Sequence, residues 1–171
     1  MNPCAVPTAV PDVDGDKRWQ SIHRRFISDC REKDPDVIFL GDCIFETLQD
    51  TDTWNQYFAP LHCLNFSIRD DRTEHVLWRI ENGALDNVTP KVVVLHVGTN
   101  NVSNSAVEVA EGVLANVTKI RQNLPGAYIL LPFTVYNLHA YILQNSCNNS
   151  YMICPIKCFI ENIRKKAVKN I

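Results

Sequence analysis

Gly41-Asp42-Cys43 follows the apolar run Val37-Ile38-Phe39-Leu40, and Gly98-Thr99-Asn100-Asn101 follows a second such run from Lys91 to Val97. The two segments read as halves of a hydrolytic site. A nucleophile on a sharp strand-to-helix turn gains from the free amides of the helix start, which stabilise a developing oxyanion. Cys43 occupies that position, with a thiol where a hydroxyl is expected. An asparagine after a neighbouring strand can donate a further hydrogen bond to the same oxyanion, which makes Asn100 the second candidate. Taken singly, Cys43 reads as a small buried hydrophobe and Asn100 as a turn residue. Their pairing after two strands points to a site.

The elements that must hold these residues alternate between strand and helix. Trp19, Ile22, Phe26, Ile27 and Cys30 give a one-sided helix between Asp16 and Lys33, ended by Asp34-Pro35. Strand one is Val37 to Leu40, a short helix covers Ile44 to Leu48, and Cys63 to Phe66 makes strand two. Trp54, Tyr57 and Phe58 form an aromatic cluster assigned to the core. Thr73 is the expected N-cap of a helix carrying Val76, Leu77 and Ile80 that stops near Gly83. Lys91 to Val97 has five apolar residues in seven, four of them valine, as expected of a strand covered on both faces. A helix over Ala106 to Gln122 and a strand over Ala127 to Leu131 follow.

This order predicts an α/β fold with a parallel sheet and helices on both faces. Such sheets carry their functional groups at the carboxyl ends of the strands. There the candidate segments are residues 41–43, 67–71 and 98–101. Beyond Pro132 the pattern weakens. Tyr136 to Leu143 reads as a short helix, Asn145 to Ser150 as a polar break and Pro155 to Lys169 as a basic amphipathic helix, with no clear fifth strand. The expected organisation is a flexible segment over residues 1–15, one domain over 16–132, and a diverged or incomplete C-terminal part over 133–171.

With 171 residues, 46% apolar and 21% charged, and a formal charge of −2, the chain reads as one soluble domain and gives no sign of nucleic-acid binding. No run approaches the ~20 apolar residues of a membrane span, and the start lacks a secretory pattern, so a cytoplasmic location is expected. The seven cysteines are an odd number without a regular framework, which favours reduced thiols. Cys147, Cys154 and Cys158 lack the fourth ligand of a zinc site. No metal or cofactor is expected. The Asn-x-Ser/Thr triplets at Asn65, Asn87, Asn101, Asn116 and Asn148 are read as chance.

The run Val37 to Cys43, the stretch Leu61 through Asp71 with His75-Val76-Leu77-Trp78-Arg79, and Pro90 through Asn101 resemble the catalytic subunits of intracellular platelet-activating factor acetylhydrolase, type IB, a branch of the SGNH (GDSL-like) hydrolases. The likeness spans roughly Trp19 to Pro132. It implies a three-layer flavodoxin-like fold and removal of the sn-2 acetyl group from platelet-activating factor. It also implies a homo- or heterodimer with a related subunit and association with a WD40-repeat regulatory subunit. A short-acyl phospholipid is the implied ligand.

The resemblance also assigns site residues, and most of them are altered. The family's nucleophilic serine falls on Cys43 and its oxyanion glycine on Asp70, while Ser67 and Arg69 also replace glycines; Asn100 alone matches. An aspartate at a glycine position is conformationally unfavourable and sets a carboxylate beside a developing negative charge. The family's later Asp-x-x-His block has no counterpart, since no aspartate follows Asp86 and the last histidine is His139. His96 and His139 are the candidate substitute bases, with Glu108, Glu111 or Glu161 as distant orienters. The leading expectation is a catalytically impaired or inactive homologue kept for subunit or partner binding. The alternative is a Cys43-dependent esterase, and a third reading is a variant ending of a longer chain.

Overall fold

Five short strands form one all-parallel sheet in the order β2-β1-β3-β4-β5: β1 Val37–Gly41, β2 Cys63–Ser67, β3 Val92–His96, β4 Tyr128–Pro132 and β5 Tyr151–Cys154. These come from a computed structural model that describes residues 1–132, 151–154, 161, 163 and 165–167. All five residues of β1 and of β3 are buried, which explains why both read as continuous apolar runs.

Helices cover both faces. On one side α1 Arg18–Glu32, α4 Thr73–Glu81 and α5 Ala106–Asn123 pack Phe26, Val76, Ile80, Val113 and Ile120 against Ile38, Leu40, Val93, Leu95 and Ile129 of the sheet. On the other, α2 Cys43–Leu48 and α3 Asp52–Tyr57 bring Phe45 and Trp54 onto Val37, Phe39, Val92 and Val94, joined by Phe58. The aromatic cluster is core, as expected: Phe39 meets Phe45, Trp54 and Phe58 edge-on, each with ring centroids 5.1 Å apart.

Three expectations need correction. Thr73 is the first helical residue of α4 and not its cap; Arg72 precedes it in an extended conformation, and its N–H donates to His75 Nδ1 over 3.1 Å. The first residues of the chain are docked where a flexible segment was expected. Residues Pro3–Ala5 form a 3-10 turn whose Cys4 is buried, with Cys4 O accepting from Thr73 Oγ1 over 2.9 Å and Asn2 Nδ2 donating to Glu108 O over 2.9 Å. A fifth strand does exist, since β5 pairs with β4 from Ile129↔Tyr151 to Pro132↔Cys154. Within the basic amphipathic helix expected over Pro155 to Lys169, the described residues 161, 163 and 165–167 are helical, and Ile163 and Ala167 are buried on the α2 side of the sheet. The expected helix over Tyr136 to Leu143 and the polar break over Asn145 to Ser150 lie outside the described residues.

Candidate active site

The carboxyl ends of three adjacent strands are tied into one platform. Asp42 is the N-cap of α2, its Oδ1 accepting from Ile44 N over 3.1 Å while Oδ2 accepts from Thr99 Oγ1 on the loop after β3. Asn100 Nδ2 donates to Asp71 O over 2.9 Å, linking that loop to the one after β2. Ile68 N donates to Gly41 O over 3.1 Å and closes the ring. Cys43, Asp70 and Asn100, the three site residues expected from the sequence, all lie on this platform. Cys43 opens α2 and is half-buried. Asp70 has φ of 65°, the left-handed region that favours glycine. An aspartate thus holds a glycine-type backbone conformation in the loop after β2.

Beneath the platform lies a buried ion pair that the sequence reading missed. Arg79, fully buried on α4, places Nη2 2.7 Å from Asp71 Oδ2 and donates from Nη1 to Phe66 O over 2.7 Å and from Nη2 to Gly41 O over 3.3 Å. Trp19 Nε1 donates to Asp71 Oδ1 over 2.7 Å, which fastens α1 to the same group. One guanidinium thus braces the ends of β1 and β2. The signal was an arginine at a core position of an otherwise apolar helix face, and a buried charge of that kind requires a carboxylate partner.

Burial pushes the Asp71 carboxyl up to about 6, a shift that the Arg79 charge and the bonds from Trp19 and Arg79 reduce without cancelling. Burial likewise lowers Arg79, against the attraction of Asp71. The sign follows from proton binding. Between about pH 4 and 6 the folded chain holds a proton on Asp71 that the unfolded chain has released, so this group's contribution to stability falls as pH rises through that window. Urea unfolding at pH 4, 5 and 6.5 is expected to show the wild type losing stability relative to Asp71→Asn across the window. A constant difference would contradict the assignment.

No described residue supplies Cys43 with a base. His96 is buried on β3, with Nδ1 3.4 Å from Asp42 Oδ1 and its ring 5.1 Å from that of Phe45, so it braces the Asp42 turn from below. Burial raises Asp42, yet its contacts to His96 and Thr99 and the Ile44 amide outweigh this and hold the carboxyl below its ordinary value. His23 Nε2 lies 3.1 Å from Asn82 O, and His75 Nδ1 accepts from Arg72 N. Burial lowers both imidazoles. His62 is exposed, at φ of 50°. Among the described residues no histidine is hydrogen-bonded to the Cys43 sulfur; His139 lies outside them. Glu108 closes a capping box with Ser105 at the start of α5, and Glu111 Oε2 accepts from Asn2 Nδ2. Glu161 pairs with Lys165. None of these acids orients a base. The described residues hold no His, Cys, Asp or Glu cluster suited to a metal ion.

The other thiols with described surroundings are protected. Burial pushes Cys30 up to about 11 and Cys63 up to about 12, and raises Cys4. At pH 8 a thiol of pKa about 11 is ionised to roughly one part in a thousand. Brief iodoacetamide treatment of the folded protein is therefore expected to modify Cys43 and spare Cys30 and Cys63, as read by peptide mass spectrometry. Equal labelling of all three would contradict this geometry.

A Drosophila melanogaster protein named platelet-activating factor acetylhydrolase IB subunit beta homolog is 86% identical over 132 residues, covering 77% of this chain and 59% of that protein. A Gallus gallus protein named as subunit alpha2 of the same enzyme is 52% identical over 130 residues, covering 76% of this chain and 57% of that protein. The chain belongs to the platelet-activating factor acetylhydrolase IB subunit family. It spans less than two thirds of the length of these relatives. A solved GDSL-like lipase from Bacteroides thetaiotaomicron superposes with a TM-score of 0.60 at 14% identity, covering 78% of this chain and 77% of that one, and it shares the fold. No family model matches the chain. The three-layer SGNH architecture is thus common to chain and neighbour, and no helix among the described residues is long and apolar enough to cross a membrane.

Proposed function

We propose that this chain is a catalytically impaired or inactive homologue of the acetylhydrolase subunits, acting in the cytoplasm as a dimerising and partner-binding subunit. The observation that carries the reading is the combination at the platform. Cys43 replaces the nucleophilic hydroxyl with no histidine partner among the described residues, and Asp70 holds a carboxylate at the left-handed position where the family has glycine. A nucleophile without a base is slower by several orders of magnitude in enzymes of this type. The braced scaffold remains, which suits a retained binding role toward a related subunit, a WD40-repeat regulatory subunit or a short-acyl phospholipid.

The second reading, a Cys43-dependent sn-2 acetyl hydrolase, draws on the intact Asn100 and on the Asp42–His96 contact at 3.4 Å directly below the nucleophile turn. The two readings separate on acetate release from 1-alkyl-2-acetylglycerophosphocholine by wild type and Cys43→Ala. Equal background rates support the inactive subunit, and release that vanishes in the variant overturns it. Light scattering tests the subunit role, for which a monomer at micromolar concentration would be the contrary result.

A further inference from the structure

The first turn of α1 is weakly held by its own sequence. Lys17, its N-cap, lies in the left-handed region and makes no side-chain cap bond, which leaves Asp16 Oδ1, accepting from Arg18 N over 2.8 Å, as a local tie. The long-range tie is Trp19. It is half-buried, its Nε1 donates to Asp71 Oδ1 over 2.7 Å, and its ring lies 5.2 Å from that of Trp78. Trp19 also lines a cavity of about 330 Å³ together with Ile68, Arg69 and Asp70 of the loop after β2, so it forms part of a wall beside the platform.

We propose that the contact between Trp19 and Asp71 is a proton-released latch: a proton taken up by Asp71 frees Trp19 and lets the start of α1 part from the loop after β2. The reason lies in the partners. Asp71 Oδ1 faces the indole N–H and Oδ2 faces Arg79 Nη2 at 2.7 Å, and both of those groups donate and cannot accept. A proton on either oxygen therefore meets another donor, and one of the two contacts must give. Arg79 is fully buried and is held also by Phe66 O and Gly41 O, whereas Trp19 is half-buried at a helix end, so Trp19 gives way. The other titratable neighbours are His75 of α4 and Asp42 at the start of α2. His75 Nδ1 lies 3.9 Å from Asp71 Oδ1 and already accepts from Arg72 N, while the like charge of Asp42 favours the protonated form. Burial, the largest influence, brings the Asp71 carboxyl up to about 6, which sets where the latch opens. The latch operates whether or not Cys43 turns over an ester.

The test follows the Trp19 indole N–H of the full chain by NMR between pH 7.5 and pH 5. Its exchange with solvent, corrected for the intrinsic dependence on pH, is expected to rise about tenfold as the latch opens, the loss of one hydrogen bond to a charged group. The rise is expected to share one midpoint, near pH 6, with the titration of the Asp71 carboxyl carbon. Asp71→Asn offers a single acceptor oxygen to two donors and is expected to show the faster exchange at every pH. His75→Gln is expected to keep the wild-type midpoint. A cooperative melt confirms that each variant folds, and if Asp71→Asn does not, the shared midpoint in the wild type decides alone. Indole exchange that stays flat across this range, a midpoint apart from that of the Asp71 carboxyl, or a transition that His75→Gln abolishes overturns the proposal.

Discussion

Gly41→Ala is expected to leave no stably folded protein. A Cβ at position 41 would sit 2.1 Å from His96 O and 3.0 Å from His96 C, contacts with the backbone of the neighbouring strand that no rotamer change relieves. β1 is hydrogen-bonded on both sides, Gly41 pairing with Ser67 in β2 and His96 in β3, so parting it from one neighbour strains the other. The same shift would separate Asp42 from Thr99 and undo the joint between the Cys43 and Asn100 loops. A cost above about 4 kcal/mol belongs to the exceptional class of point changes, against a typical domain stability of about 5–15 kcal/mol. Soluble yield and urea unfolding measure it. A loss below about 1 kcal/mol would show that β1 and β3 move apart freely.

Arg79→Met should be nearly as damaging, for an electrostatic reason. It removes the partner of a buried carboxylate and strips two strand-end carbonyls, Phe66 O and Gly41 O, of a donor. Breaking a buried pair from one side costs about 3–5 kcal/mol, which for a chain of this size lowers the melting temperature by roughly 10 °C. Asp71→Asn combined with Arg79→Met removes both charges and keeps the acceptor for Trp19. The double variant is therefore expected to be more stable than Arg79→Met alone. A double variant less stable than the single one would mean that Arg79 acts through its shape and not its charge.

The sheet was legible because β1 and β3 are buried on both faces, and nothing but a continuous apolar run satisfies that environment. The positions of Cys43, Asp70 and Asn100 were legible because parallel sheets fix where loops emerge. The Arg79–Asp71 pair was not, since the two lie on different elements and only folding brings them together. Nor was the docking of Pro3–Ala5, which depends on Gly112 in α5: a Cβ there would lie 2.6 Å from Cys4 O and 2.7 Å from Thr73 Oγ1. A glycine inside a helix signals a close approach without naming the visitor. β5 was missed because Tyr151–Cys154 is only four residues long and follows a polar stretch. Ser67 is a local conflict of another kind, its buried hydroxyl having no hydrogen-bond partner among the described residues.

The interior placement of Asn116, which donates to Thr73 O and Gly112 O, and of Asn101, bonded to Glu74 Oε2 and Thr73 N, bears on biogenesis. Both sit in acceptor sequons, so glycosyl transfer during translocation would attach a bulky sugar tree where the finished molecule has room for none. Of the four sequons with described surroundings, only Asn87 faces outward. Sugar attachment at 101 or 116 and the mature packing are mutually exclusive fates for the polypeptide.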